Sequence, residues 1–150
     1  MACYSYNHNF EEIYRTKESF FADLQQIDDI VFAKTGVTSK IMRFPGGSSV
    51  TRGTTKARMN ELKKEVRERG FQFFDWNCDS SDKRGAKTAS DALSRIKKVK
   101  TDDNDIIIVL MHDTEKTTVQ YLPEVIKYFK ELGYEFKPLC LESPAVQHSW

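Results

Sequence analysis

Asp105-Ile-Ile-Ile-Val-Leu-Met-His112-Asp113 decides how the rest of the chain is read. Its apolar run, Ile106 to Met111, is too short to span a membrane and too β-branched for a comfortable helix. It predicts a strand buried on both faces, of the kind found inside a parallel sheet. A histidine and an aspartate follow where the strand runs out, and α/β proteins place their chemistry at such strand ends. Taken alone, His112 also reads as a turn residue and Asp113 as a helix cap. The other strand ends decide between these readings.

The composition sets limits. A length of 150 residues suits a single domain with a real core. Charged residues make up 30% and leave a formal net charge of +1, which argues against a nucleic-acid binder working by bulk charge. A mean hydropathy of -0.57 fits a soluble globular chain. There is no membrane-length apolar run and no signal-peptide pattern at Met1, so the chain as written would be cytoplasmic. Cys3, Cys78 and Cys140 show no C-x-x-C spacing and read as buried free thiols.

Outward from the opening strand, helices and strands alternate. Residues 1–15 read as an aromatic and polar loop. Phe20, Phe21, Leu24, Ile27, Ile30 and Val31 recur at helical spacing after a cap at Thr16 or Ser19, and Gly36 stops the helix. Lys40 to Phe44 reads as a strand halted by Pro45-Gly46-Gly47. A helix from about Lys56 to Arg69 follows, with Gly70 as its stop. Its basic residues read as a solvated face balanced by Glu61, Glu65 and Glu68. Phe71 to Phe74 reads as the next strand, followed by Asp75-Trp76-Asn77 and a polar loop through Asp82. Ser90 caps a short helix. Thr117 or Thr118 opens another, and Tyr134 to Leu141 reads as a closing strand before a loop at 142–150. Strands separated by such helices run parallel.

Parallel strands gather their C-terminal ends on one edge. Arg43-Phe-Pro-Gly-Gly-Ser48, Asp75-Trp76-Asn77 and Leu110-Met-His112-Asp113 therefore converge in this reading. An arginine can clamp a carboxylate, an aspartate can orient a histidine, a tryptophan can wall a pocket, and glycines let backbone approach a ligand. Other chemistries fit worse: the chain lacks a phosphate-binding G-x-x-x-x-G-K-[ST], a hydrolase G-x-S-x-G and a zincin H-E-x-x-H.

These three stretches, in this order, resemble the third, fourth and fifth motifs of the polysaccharide deacetylases, the NodB-homology carbohydrate esterases. The likeness is greatest to bacterial peptidoglycan N-acetylglucosamine deacetylases. The resemblance implies a distorted (β/α) barrel, here incomplete, and metal-assisted hydrolysis of N-acetyl groups on a polysaccharide. It implies His112 as general acid, Asp75 as the residue tuning it, Arg43 as holder of the catalytic base, Trp76 and Leu110 as lining for the acetyl methyl, and backbone near Gly46 as an oxyanion contact. Gly46-Gly47 stands where many members carry a tyrosine.

Two departures matter. The family's first motif, an aspartate pair, has no counterpart, so the chain reads as the C-terminal two-thirds or so of the domain. The second, H-[ST]-x-x-H, is matched by Tyr4-Ser5-Tyr6-Asn7-His8 with Tyr4 replacing the first histidine. Only His8 remains as a ligand for the zinc or cobalt that the family implies, so metal binding and turnover by this chain alone are expected to be weak or absent. A non-catalytic carbohydrate-binding or interaction module on a degenerate deacetylase domain is the alternative, and a chance match in an unrelated α/β domain ranks last. The expected partner is N-acetylated polysaccharide, with self-association through exposed sheet edges and no nucleic acid. Intact family members are extracytoplasmic or cell-surface.

Overall fold

The computed structural model describes residues 4–86, 88–101 and 106–150. The order of elements is α1 (Phe10–Ile13), α2 (Lys17–Thr35), β1 (Ile41–Met42), α3 (Lys56–Glu68), β2 (Gln72–Phe73), β3 (Cys78–Asp79), α4 (Ala89–Ile96), β4 (Val109–Leu110) and α5 (Lys116–Glu131). Two parallel pairs form: Ile41 and Met42 face Gln72 and Phe73, and Cys78 and Asp79 face Val109 and Leu110. Helices lie between the partners of both pairs, as parallel pairing requires. Among the described residues there is no closed barrel, and no helix is long and apolar enough to cross a membrane.

The chain divides into two compact units, residues 1–75 with 139–150 and residues 76–138. In the first, α2 starts at a capping box: Thr16 Oγ1 accepts from the Ser19 amide, and the Ser19 hydroxyl accepts from the Thr16 amide. Gly36 ends the helix at φ 71°. The N-terminal half of α2 buries Phe20, Phe21 and Leu24 against Met42, Phe44, Met59, Leu62 and Phe73. Ile27 still packs against that core, but the helix leaves it beyond Asp28, with Ile30 43% and Phe32 53% exposed. Aromatic contacts run through this core, from Tyr14 stacked on Phe20, to Phe20 on Phe44, to Phe44 edge-on to Phe73.

The second unit packs α4 and α5 together over β3 and β4, burying Cys78, Ala92, Ile96, Tyr121, Val125 and Phe129. Thr88 and Asp91 form the capping box of α4, where Ser90 was the expected cap. Asn77 extends the β3–β4 ladder with its side chain: its amide donates to Ile106 O at 2.8 Å and accepts from the Ile108 amide at 2.8 Å.

Other expectations are corrected. The segment read as a loop before residue 15 holds α1, capped by Asn9. Cys78 and Asp79, read as part of a run from strand end to polar loop, form β3. Tyr134 to Leu141 forms no ladder among the described residues. The opening strand is fully buried only at Ile108 and Leu110 and half-buried at Ile106, Ile107, Val109 and Met111, so it is not covered completely on both faces. Cys140 is exposed, whereas Cys78 is buried; Cys3 lies outside the described residues.

Candidate active site

His112 lies two residues past the end of β4, and its ring is held by a carboxylate. The Asp82 Oδ1 lies 2.7 Å from His112 Nδ1, while the His112 amide donates to Asp82 Oδ2 at 2.6 Å. Thr118 Oγ1 on α5 also donates to Oδ2, at 2.9 Å, and lies 3.3 Å from the Tyr121 hydroxyl. The side chain of Asp82 is 1% exposed and that of His112 19%. Burial pushes the Asp82 carboxyl up, but the bonds from the His112 ring, the His112 amide and Thr118 outweigh it and hold the pKa below its ordinary value. With Nδ1 on the carboxylate, Nε2 is the nitrogen left to meet a substrate.

The loop carrying Asp82 is tightly folded. Ser81 sits at φ 54°, and its carbonyl accepts from the amides of Arg84, Gly85 and Ala86. Asp79 Oδ1 takes the Ser81 amide at 2.6 Å, and its other oxygen pairs with Arg84 at 3.1 Å. The sequence reading assigned the tuning role to Asp75. The carboxylate on His112 Nδ1 is that of Asp82, a residue the reading left in a polar loop. The signal was present: Asp79 and Asp82 stand three apart just after a strand.

Asp75 sits in the first unit and is fully buried. Its carboxylate accepts from the Ser48 amide at 2.8 Å, the Ser48 hydroxyl and the His148 amide at 2.7 Å, and its own amide donates to Val146 O at 2.8 Å. The tail, read as loop, is thus pinned to the Ser48 turn through Asp75. Arg43 donates from Nε to Phe74 O at 3.1 Å and from Nη2 to Asp75 O at 3.4 Å, fixing the end of the β2 segment. Burial draws the Arg43 guanidinium below its usual pKa, opposed by Tyr4 and Asp75, and it remains a cation. Gly46 lies at φ 78°, and a Cβ there would come within 2.6 Å of the Phe10 ring and 2.8 Å of Val50.

His8, at φ 59°, bonds Ser5 through both its amide and its ring. The Tyr4 ring lies 4.8 Å from the His8 ring, centroid to centroid. Asp23 fixes this loop by taking the amides of Tyr6 and Asn7 at 3.0 and 2.8 Å. Among the described residues no three His, Cys, Asp or Glu side chains come together as a metal-binding group. One imidazole beside a phenol does not make the three-ligand set of a catalytic zinc site, so the described residues do not by themselves fit that metal. In the second unit, Leu110 is buried on β4 and Trp76 is half-buried ahead of β3.

No profile of a known protein family matches the chain. Individual proteins do. A peptidoglycan-N-acetylglucosamine deacetylase of Bacillus cereus is 30% identical over 98% of this chain and 52% of its own length. The crystallised catalytic domain of a peptidoglycan N-acetylglucosamine deacetylase from Eubacterium rectale is 32% identical and superposes with a TM-score of 0.91, covering 99% of this chain and 68% of that one. A CE4 family pseudoenzyme from Bacillus anthracis shares the fold at 22% identity, with a TM-score of 0.66 over 88% of this chain and 42% of that one. The chain spans about half the length of the Bacillus cereus relative. Matched in sequence and in fold across nearly all its length, this chain belongs to the polysaccharide deacetylase family, the CE4 carbohydrate esterases.

Proposed function

We propose that residues 1–150 are the C-terminal part of a polysaccharide N-deacetylase domain and carry its acid half. The Asp82–His112 pair supports this most directly. A leaving amine must gain a proton as the amide breaks, and an imidazolium fixed through Nδ1 can deliver one from Nε2. Asp82 stabilises the imidazolium and fixes the orientation of its ring, and Thr118 and the His112 amide steady Asp82. Trp76 and Leu110 are assigned to the acetyl pocket. Arg43 and Gly46 are assigned to shaping the Ser48 turn as well as to the roles the motifs imply, and Asp75 is assigned to the turn, with Asp82 in its place on His112. The substrate class is N-acetylated glucosamine polymer, from the names of the relatives.

A divalent metal, where bound, would supply an activated water. Tyr4 stands beside His8 where a second imidazole would complete more of the ligand set, and a phenol must lose a proton at about pH 10 to bind well. This chain alone is therefore assigned saccharide binding without appreciable turnover. The same observation favours the second reading, a non-catalytic carbohydrate-binding module on a degenerate site.

The test combines binding with chemistry. Tri-N-acetylglucosamine should shift the Trp76 indole and His112 ring signals in NMR spectra of the chain. Acetate release with added zinc or cobalt should stay at blank level, and calorimetry should show Tyr4→His binding zinc at least about tenfold more tightly. Turnover that vanishes in His112→Ala would keep the deacetylase class and remove the claim of inactivity. No response of Trp76 or His112 to any N-acetylated oligomer would sink the assignment.

A further inference from the structure

Helix α3 carries its charges in two sets. Glu65 pairs with Lys17 at 3.2 Å and Arg69 at 2.5 Å, and Glu68 pairs with Lys64 at 3.6 Å. The glutamates therefore do not balance the whole basic face, as the sequence suggested. Lys56, Lys63 and Arg67 stand seven and four residues apart, on one stripe of the helix. Among the described residues no ion pair engages any of the three.

Rings and an amide surround them instead. The ammonium groups of Lys56 and Lys63 lie 5.4 and 5.2 Å from the centre of the Trp150 ring. Arg67 lies over the Phe73 ring at 4.8 Å and bonds Gln147 Oε1 at 2.9 Å. The Trp150 indole N–H donates to Asn60 Oδ1 at 3.1 Å, which anchors the ring on the same stripe, and the residue stays 42% exposed. Three cations gathered on one stripe repel one another. Consistent with this, Lys63 has its pKa lowered by burial first, with Arg67 and Lys56 adding to the lowering and Asp75 opposing it. In a chain of net charge +1 this is a local concentration of positive potential.

A flat indole can stack on the C–H face of a pyranose, and ammonium and guanidinium groups pair with carboxylates. We infer that the Lys56–Lys63–Arg67 stripe with Trp150 is a subsite for a carboxylate-bearing sugar of an anionic glycan strand. The glycan part rests on the saccharide reading above. The preference for a carboxylate rests on three cations that meet rings and an amide but, among the described residues, form no ion pair.

Two tetrasaccharides of equal length test it, one neutral and built of N-acetylglucosamine, the other alternating N-acetylglucosamine with N-acetylmuramic acid. By calorimetry the carboxylated oligomer should bind about tenfold more tightly at low salt, and the advantage should shrink as salt is added. Its binding should move the Trp150 indole N–H signal, identified by its loss in Trp150→Phe. The double variant Lys56→Gln/Lys63→Gln, checked for unchanged circular dichroism, should erase the gap between the two oligomers. Equal affinity for both, an unchanged gap in the double variant, or binding of neither would overturn the inference. A neutral oligomer that moves His112 while Trp150 stays still also overturns it, yet leaves the deacetylase reading standing. A carboxylated oligomer that moves Trp150 while no oligomer moves His112 supports the subsite and counts against the deacetylase reading.

Discussion

Asp75 and Asp82 are both buried carboxylates, one in each unit, and they are used in opposite ways. The Asp75 carboxylate accepts from the Ser48 amide, the Ser48 hydroxyl and the His148 amide, while the His148 ring stands off at 4.0 Å. Asp82 takes an amide and a hydroxyl too, but its other oxygen is on an imidazole that is still partly exposed. The first arrangement is a tie between backbone segments. The second brings one carboxylate oxygen onto an imidazole ring at 2.7 Å. Burial alone does not separate the two carboxylates; the partner does.

The largest expected effect is on the tie. Asp75→Ala leaves the donors of Ser48 and His148 buried and unsatisfied, and should cost about 4 kcal/mol in urea denaturation. A loss below about 1 kcal/mol would show that water reaches these groups and that the contrast with Asp82 is overstated. Gly46→Ala should cost about 3 kcal/mol, since the new methyl meets Phe10 and Val50 and the backbone is left-handed there. Next comes the coupling. In long-range proton–nitrogen spectra, Asp82→Ala should redistribute the His112 ring tautomers, while Asp75→Asn should leave them as they are. If Asp75→Asn moves them equally, the tuning role first assigned to Asp75 stands after all.

The acid limb of stability separates the two further. The Asp82 pKa is lowered in the folded state, so its contribution is present above the unfolded value of about 3.9 and is lost as pH falls through the folded value. Wild type and Asp82→Asn should therefore converge in stability below about pH 4, and a gap that persists unchanged to the lowest pH would argue against the ionised pair. The smallest effect is at Ser81, which holds φ 54° without being glycine. Ser81→Gly should raise stability by less than about 1 kcal/mol, read as a small rise in melting temperature.

Much of this was legible in the sequence because it is local. Thr16, Gly36 and Gly70 punctuate helices by their own backbone chemistry, and the β-branched run before His112 announces a strand. The parallel pairing followed from helix-length connections. What was missed depends on contacts distant in sequence. Asp82 reads as one more polar loop residue until the fold brings it 2.7 Å from a histidine thirty positions on. Cys78 and Asp79 become a strand because Val109 and Leu110 lie alongside them, with Asn77 extending the pairing by its side chain. The pattern of Tyr134 to Leu141 suits a strand, but no partner pairs with it among the described residues.

The bond from His148 to Asp75 joins positions 73 residues apart. That separation has a consequence for biosynthesis. A ribosome delivers the Ser48 turn and Asp75 long before residues 146–148, so during translation the buried carboxylate has only part of its ligand set. The first unit must wait, half-closed, while the whole of the second is made and can fold ahead of it. A nascent chain stalled just after residue 138 should expose the Asp75 region to protease, and release of the last dozen residues should seal it.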